Sequence, residues 1–330
     1  MVNPPMIRTT ERRTFHRCAQ QWWWSYREGL RTRKKPADAL WFGIGAHEAL
    51  GKWYLPGFDR GPELWRTWDE WVGNEVRTIK ANFTDRDREW FEEPAYEDAK
   101  ALGIGMLRHY AQHYGTDPHM NILAIEQPFE IDLVWQDDII GTFVGRIDGV
   151  YYDEETGEIY LLENKTAASI RTAHLPLDRQ AGGYFAVATI VLREQGILDR
   201  HENIAGVQYN FLRKAMPDLR DRDERGQYLN KDGNVSKRQP PPAFHREPVD
   251  RSPREVQSIL RGITDDLRIM NAMRDGTMPV TKSVTDLCPN CPFFEMCVMH
   301  ERGGTAWQEF KRSNYATEDP YADHRKSSAE

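Results

Sequence analysis

The chain has 330 residues with a formal net charge of −7, and 39% of the residues are hydrophobic against 29% charged. This composition is typical of a soluble globular protein and excludes a chain that is disordered throughout. No run of about 18 apolar residues is present, and none follows the basic N-terminal residues. The sequence therefore predicts neither a membrane span nor a signal peptide. It predicts a cytoplasmic location.

The first third of the chain is predicted to be helical. Aromatic and aliphatic residues recur at intervals of three and four over residues 14–30, 62–81 and 96–114, which is the period of an amphipathic helix. Segments rich in β-branched and aromatic residues follow at 122–135 and 139–151, and a shorter apolar one lies at 158–163. These predict three strands.

A helix is predicted over residues 177–195 and a further strand over 204–213. The resulting order of helix, three strands, helix and strand predicts an α/β fold with a mixed β-sheet core flanked by helices. Residues 214–250 are densely charged and contain three consecutive prolines, so we expect a polar insertion with at most a hairpin. A helix is predicted over 253–274, and the last fifteen residues have the composition of a frayed, acidic tail.

Two carboxylates and a lysine in the middle of the chain can converge. Asp148 is expected at the end of one strand, and Glu163 and Lys165 lie two residues apart on the next, so their side chains share a face of the sheet. Carboxylate oxygens are the ligands that magnesium prefers. Glu126, on the preceding strand, is a weaker candidate for this site, and we favour its interpretation as a solvent-facing carboxylate.

The four cysteines are unevenly placed. Cys288, Cys291 and Cys297 cluster near the C-terminus, and Cys18 is the remaining one. In a reducing compartment such cysteines are thiols or metal ligands rather than disulfides. Their chemistry is compatible with zinc or with the corners of an iron-sulfur cluster.

The N-terminal residues are basic and aromatic. Residues 1–35 have a local charge of +7, which leaves −14 for the rest of the chain. Such a surface suits contact with DNA, and exposed aromatic rings can stack on unpaired bases. A solvated helix face and rings packed in the core are the alternatives. The candidate DNA contacts are Arg12, Arg13, Arg17, Trp23 and Tyr26.

Four motifs in order resemble those of the PD-(D/E)XK nuclease superfamily, and among its members the RecB-like nucleases and the CRISPR-associated iron-sulfur exonucleases. They are Gly43-Ile44-Gly45-Ala46-His47-Glu48-Ala49-Leu50, Gly145-Arg146-Ile147-Asp148, Glu163-Asn164-Lys165-Thr166 and Gln180-Ala181-Gly182-Gly183-Tyr184. The resemblance implies a restriction-endonuclease-like fold.

The resemblance also implies a role for each matched residue. His47, Asp148, Glu163 and the carbonyl of Asn164 would bind Mg²⁺ or Mn²⁺, and Lys165 would orient the attacking water. Gln180 and Tyr184 would face the DNA or brace the site. Cys18, Cys288, Cys291 and Cys297 would bind a 4Fe-4S cluster that joins the N- and C-terminal helical parts, with Zn²⁺ as the alternative.

A single nuclease domain over residues 1–330 is therefore expected. It divides into a helical part (1–115), a catalytic core (120–213), the polar insertion (214–250), a helix with the cysteine cluster (251–313) and the tail (314–330).

The expected function is a DNA exonuclease of recombination, repair or DNA processing that acts on single strands or ends. The resemblance favours 5′-to-3′ polarity. A non-catalytic DNA-binding or assembly subunit and a restriction-like endonuclease are the alternatives. Because the sequence has no phosphate-binding loop of the GxxxxGK[ST] type, any unwinding would depend on a partner such as a helicase, integrase or recombination protein.

Overall fold

A computed structural model of the chain describes residues 4–33, 37–82, 88, 91–322 and 324. The basic residues Lys34 and Lys35 and most of the last eight residues lie outside this part of the chain. The strands are β1 (Met6–Ile7), β2 (Leu30–Thr32), β3 (Met120–Trp135), β4 (Asp138–Asp153), β5 (Glu158–Ala167), β6 (Ile204–Arg213), β7 (Phe244–Asp250) and β8 (Tyr315–Thr317).

The helices are α1 (Thr9–Arg17), α2 (Ala19–Trp22), α3 (Ala39–Trp53), α4 (Leu64–Ala81), α5 (Glu93–Tyr114), α6 (Arg179–Glu194), α7 (Pro253–Arg274), α8 (Phe294–Glu301) and α9 (Ala306–Asn314). Within the described residues, no helix combines the length and the apolar character that crossing a membrane requires.

A six-stranded mixed sheet forms the centre of the molecule. Its order is β1-β4-β5-β6-β7, and β3 pairs with β4 as well. The β3-β4 and β4-β5 pairs are antiparallel, whereas β5 and β6 are parallel because α6 connects them. A second, two-stranded sheet joins β2 to β8. The α/β fold with a mixed sheet flanked by helices is therefore confirmed.

The two faces of the main sheet carry different cores. One face packs against α6 and α7, with Phe143, Ile147 and Leu267 among the buried side chains. The other packs against α3, α4 and α5 through residues such as Trp68 and Tyr110. A third, smaller core surrounds Trp24 and Phe293 beside the cysteines.

Three predicted elements differ in the structure. The helix expected over residues 14–30 is broken at Cys18, where the backbone is extended, and the segment continues as α2, a π-helical turn (Trp23–Arg27) and strand β2. The polar insertion ends earlier than expected, because its last seven residues form the edge strand β7.

The expected acidic tail also begins as ordered structure. Its residues 315–317 form β8, and the Tyr321 side chain is buried, with its hydroxyl on the Glu11 carboxylate. Sequence composition does not reveal this contact because the partner lies 310 residues away along the chain.

Candidate active site

The main sheet opens between β4 and β5. The two strands pair from Asp153 and Glu158 as far as Gly149 and Leu162, and there the pairing ends. Strand β4 then continues beside β3, and β5 continues beside β6. Asp148, which was predicted to end its strand, instead lies within β4 at the point where the two strands separate.

Three charged side chains stand in this opening. Asp148 accepts a hydrogen bond of 2.8 Å from the backbone N–H of Asn164, which bridges the gap between the strands. Glu163 and Lys165 share a face of β5, and the Lys165 Nζ lies 2.5 Å from the Glu163 Oε1. The period of two in a strand therefore places this carboxylate and ammonium as the sequence predicts.

Lys165 remains an ammonium ion in this environment. Burial disfavours its charge, but Glu163, Asp178 and Asp148 raise its pKa above the ordinary value. The Lys165 Nζ also donates to the Gln180 Oε1 at 3.1 Å. A lysine held in this state is able to stabilise negative charge and orient a water molecule, but cannot accept a proton.

Helix α3 brings His47 to the same opening, with its Nδ1 3.3 Å from the Asp148 Oδ1. The ligand atoms of His47, Glu126 and Asp148 all lie within 4.8 Å of one another, and this is the only such group among the described residues. Imidazole and carboxylate donors suit Mn²⁺, and oxygen donors suit Mg²⁺. The Glu163 carboxylate lies beside this group and is engaged by Lys165.

Glu126 was interpreted as a solvent-facing carboxylate, and the structure shows that this was wrong. Its backbone φ of 49° is in the left-handed region, which interrupts the alternation of β3 and directs the side chain toward α3. A Cβ at Gly51 would lie 3.0 Å from the Glu126 Cγ. Gly51, one turn beyond His47, therefore makes room for this carboxylate.

The charges of this group are strongly coupled. Burial disfavours a charged His47, but Asp148 and its acidic neighbours raise the His47 pKa to about 9. Burial would raise the pKa of Asp148, but His47 outweighs it and holds the pKa below its usual value. Burial, with Asp148, raises the pKa of Glu126 to about 7. A metal ion bound here would therefore displace the proton of His47.

Helix α6 supports the site with two side chains one turn apart. Gln180 contacts Lys165 directly, as described above. Tyr184 is 8% exposed, and its hydroxyl lies 3.2 Å from the Thr9 Oγ1 on α1. Of the two predicted roles of Tyr184, this geometry favours bracing α6 against α1 over facing the DNA.

A buried polar network lies behind Asn164 on the opposite face of β5. The Asn210 Nδ2 donates to the Asn164 Oδ1 and to the Tyr110 hydroxyl, each at 2.8 Å. Tyr110 in turn contacts the Arg246 guanidinium, which forms two hydrogen bonds of 2.7 and 2.8 Å to Asp117. This network fixes the Asn164 side chain. Local sequence patterns do not indicate Asn210, Tyr110 or Arg246, because they come from separate elements.

The structure brings the four cysteines together around a cavity of about 300 Å³, which Trp24 and Phe294 also line. All four are free thiols. Backbone N–H groups point at two of the sulfurs, from Ser283 to the Cys18 Sγ at 3.5 Å and from Thr285 to the Cys288 Sγ at 3.3 Å. The break in the helix at Cys18 is therefore what places this residue beside the C-terminal cysteines.

The candidate DNA contacts divide into exposed and packed residues. Arg12 is 4% exposed and its Nε donates to Asp266 at 2.7 Å, so its prediction as a DNA contact was wrong. Trp23 and Tyr26 are half-buried and pack against the core on the α6 and α7 face of the main sheet. Arg13 and Arg17 are exposed, and Arg13 lines the cleft that contains His47 and Lys165.

Comparison with known proteins agrees with this geometry. No curated protein matches the chain in sequence. The family model described as the PD-(D/E)XK nuclease superfamily matches residues 9–298, a range that includes the opening between β4 and β5 and all four cysteines. The chain therefore belongs to the PD-(D/E)XK nuclease superfamily, and this membership implies a metal-dependent nuclease activity on DNA.

Proposed function

We propose that the chain is a Mg²⁺- or Mn²⁺-dependent DNA exonuclease that hydrolyses single strands or strand ends with 5′-to-3′ polarity. The observation that carries the proposal is the Lys165 ammonium held between Glu163 and Gln180, beside the His47, Glu126 and Asp148 group. Of these residues, His47, Glu126, Lys165 and Gln180 line a cleft of about 800 Å³. Motif resemblance supports the preference for ends and the polarity.

The residues of the opening fit a divalent ion. His47, Asp148, Glu163 and the Asn164 carbonyl would hold it, and Glu126 is close enough to join them. When bound, the ion polarises a phosphodiester and lowers the pKa of a water molecule. Lys165 stabilises the negative charge that develops on the phosphate, and Gln180 holds the ammonium in position.

The test is the degradation of single-stranded DNA labelled at its 5′ or 3′ end, in Mg²⁺, in Mn²⁺ and in chelator. Lys165→Ala should lose at least about a hundredfold in rate, because a positioned charge in the transition state is removed. Lys231→Ala, at an exposed position remote from the site in sequence, should retain the wild-type rate. The position of the retained label reports polarity.

Two outcomes would favour the alternatives. DNA binding with no cleavage by the wild-type protein under any metal condition favours the non-catalytic assembly subunit. Cleavage of a covalently closed circular duplex favours a restriction-like endonuclease, because an end-dependent enzyme has no substrate there. An exonuclease of this kind would work in recombination, repair or DNA processing beside a helicase, integrase or recombination protein.

The cysteine site is proposed to hold a 4Fe-4S cluster rather than zinc. Ligand atoms in a tetrahedral zinc–thiolate site lie about 3.8 Å apart, given Zn–S bonds of about 2.3 Å. In the described residues no three cysteine sulfurs approach to within 4.8 Å of one another. The wider spacing and the N–H groups directed at two sulfurs favour a larger cluster, whose sulfurs commonly accept such hydrogen bonds.

Purification without oxygen tests this assignment. The protein should be brown and contain iron and acid-labile sulfide, and Cys291→Ala should lose both the colour and solubility because the cluster joins distant segments. Asp286→Ala, at an exposed position in the same loop, should keep both. A colourless protein with one equivalent of zinc would instead assign the site to Zn²⁺.

A further inference from the structure

Helix α3 presents two large aliphatic side chains to water at the mouth of the cleft. Leu40 is 70% exposed and Ile44 is 54% exposed. They lie one helical turn apart, and His47 follows three residues after Ile44, so all three share one face of the helix. All three also line the cleft that contains Lys165.

The packing of α3 does not require these two side chains. The helix buries Phe42, Ala46, Ala49 and Leu50 against the core on the other side. Its first turn is fixed separately, because the Asp38 carboxylate accepts hydrogen bonds from the backbone N–H groups of Leu40 and Trp41. Exposed apolar side chains that are grouped in a cleft commonly mark a binding surface.

Cationic side chains line the same cleft. Arg13 and Arg146 are exposed there, and Lys165 stands at its floor. Leu55, which is 38% exposed, extends the apolar side beyond the end of α3. The cleft therefore combines cationic side chains, which suit phosphates, with exposed apolar side chains, which suit apolar groups.

A single DNA strand has the matching arrangement, because its phosphates carry the charge and its unstacked bases expose apolar faces. In a duplex these faces are covered by stacking, and the outward surface is mainly phosphate and sugar. We propose that Leu40 and Ile44 form a base-contact wall that packs against unpaired bases next to the bond that is cleaved. This inference rests on the proposed nuclease function and specifies how its substrate is recognised.

Two strands of equal length test the wall, an oligothymidine and an analogue in which tetrahydrofuran abasic units replace all thymidines. The wild-type protein should bind and cleave the oligothymidine with a Kd and KM about tenfold lower, since this difference needs only on the order of 55 Å² of apolar surface to be buried between the bases and the two side chains. The double variant Leu40→Ser/Ile44→Ser should remove most of this difference by raising the oligothymidine Kd and KM. Its kcat should not change.

Leu219→Ser is the matched control, because Leu219 is 90% exposed in the segment between β6 and β7. It should leave the preference for the oligothymidine intact. Because the two α3 side chains are exposed, the double variant should have the same unfolding temperature as the wild-type protein. A preference that survives in the double variant, or equal affinity of the wild-type protein for both strands, would overturn the base-contact wall.

Binding is measured by fluorescence anisotropy in Ca²⁺, and cleavage separately in Mn²⁺, so that the two proposals fail in different ways. Absence of cleavage with base-dependent binding that the double variant loses would overturn the nuclease function and support the wall. Cleavage of both strands with equal KM would support the nuclease function and overturn the wall.

Discussion

Two buried polar networks on opposite faces of β5 meet at Asn164, and their buried charges are compensated in different ways. In the opening between β4 and β5, Asp148, Glu163 and Glu126 share His47 and Lys165 as counter-charges. In the network behind the sheet, one carboxylate and one guanidinium, Asp117 and Arg246, are matched by two parallel hydrogen bonds.

The second network is closed. The Tyr54 hydroxyl donates to Asp117, and the hydroxyls of Tyr54 and Tyr110 accept from Arg246. The Arg246 Nε donates to the Asn210 Oδ1, and the guanidinium lies over the Tyr114 ring at 3.8 Å. The network in the opening between β4 and β5 adjoins a cleft, and burial raises the pKa of Glu163. The comparison indicates that the closed network supports the fold, whereas the open one keeps excess negative charge available for a cation.

The largest expected effect is on activity. Replacing the Glu163–Lys165 ion pair with the near-isosteric, neutral pair Glu163→Gln/Lys165→Met should lower the cleavage rate of the proposed nuclease at least about a thousandfold. The free energy of unfolding without metal should stay unchanged or rise, because an uncharged pair removes a desolvation cost. Parallel measurement of cleavage and urea unfolding checks both parts, and a loss of several kcal/mol in stability would contradict the comparison.

The closed network should respond in the opposite way. Asp117→Ala leaves the Arg246 guanidinium buried without its carboxylate and should destabilise the fold by about 3–5 kcal/mol. Asp132→Ala, which removes an exposed carboxylate bonded to Thr142, should cost less than about 0.5 kcal/mol. Urea unfolding curves measure both values. Similar losses in the two variants would show that the Asp117 network is not a main support of the fold.

Local patterns in the sequence predicted the elements well where each pattern was long. Strand β6 and helix α7 begin and end at the predicted residues, 204–213 and 253–274. The positions of Glu163 and Lys165 on one face also follow from local alternation alone. The family model covers the segment that contains Glu163 and Lys165, so this segment is part of the nuclease domain.

Features that depend on distant partners were not predictable from these patterns. Strand β1 has only two residues and forms because β4 is exposed beside it after β5 diverges. Arg12 is buried because its guanidinium donates a hydrogen bond to Asp266, which lies 254 residues away along the chain. Glu126 departs from the alternation of β3 because its own backbone is in the left-handed region. A strand pattern in the sequence gives no signal for such a residue.

Glu11 is intermediate between the two networks in how far its neighbours compensate its buried charge. It is fully buried and contacts Trp22, Tyr321 and Arg274, but burial outweighs these partners and raises its pKa from 4.5 to about 7. A raised folded-state pKa contributes stability that is complete below pH 4.5 and is lost as the pH rises toward 7. The loss should be on the order of 3 kcal/mol.

Unfolding measured between pH 4 and 8 in the wild-type protein and in Glu11→Gln tests this contribution. The difference between the two proteins should change across the window from 4.5 to about 7 and be constant outside it. The variant isolates Glu11 from other carboxyl groups with raised pKa values, such as Glu126. A difference that does not depend on pH would show that burial does not raise the Glu11 pKa in the folded protein.

The smallest expected effect concerns the link between the two networks. Asn210 is fully buried and bonds Tyr110 on one side and Asn164 on the other. The backbone N–H of Asn164 holds Asp148, so Asn210 is a positioning residue for the opening. Asn210→Ala should lower activity about 10- to 100-fold and raise the Mn²⁺ concentration needed for half-maximal rate, as loss of a supporting hydrogen bond commonly does.

Gln208→Ala is the matched control on the same strand, because the Gln208 side chain donates to the carbonyl of Tyr209 instead. It should leave the Mn²⁺ dependence unchanged. Excess Mn²⁺ should restore part of the rate of Asn210→Ala, since the ligands remain and only their positioning is weakened. If the rate falls with no change in Mn²⁺ dependence, the network behind the sheet supports the fold alone, and the two networks act independently although they meet at Asn164.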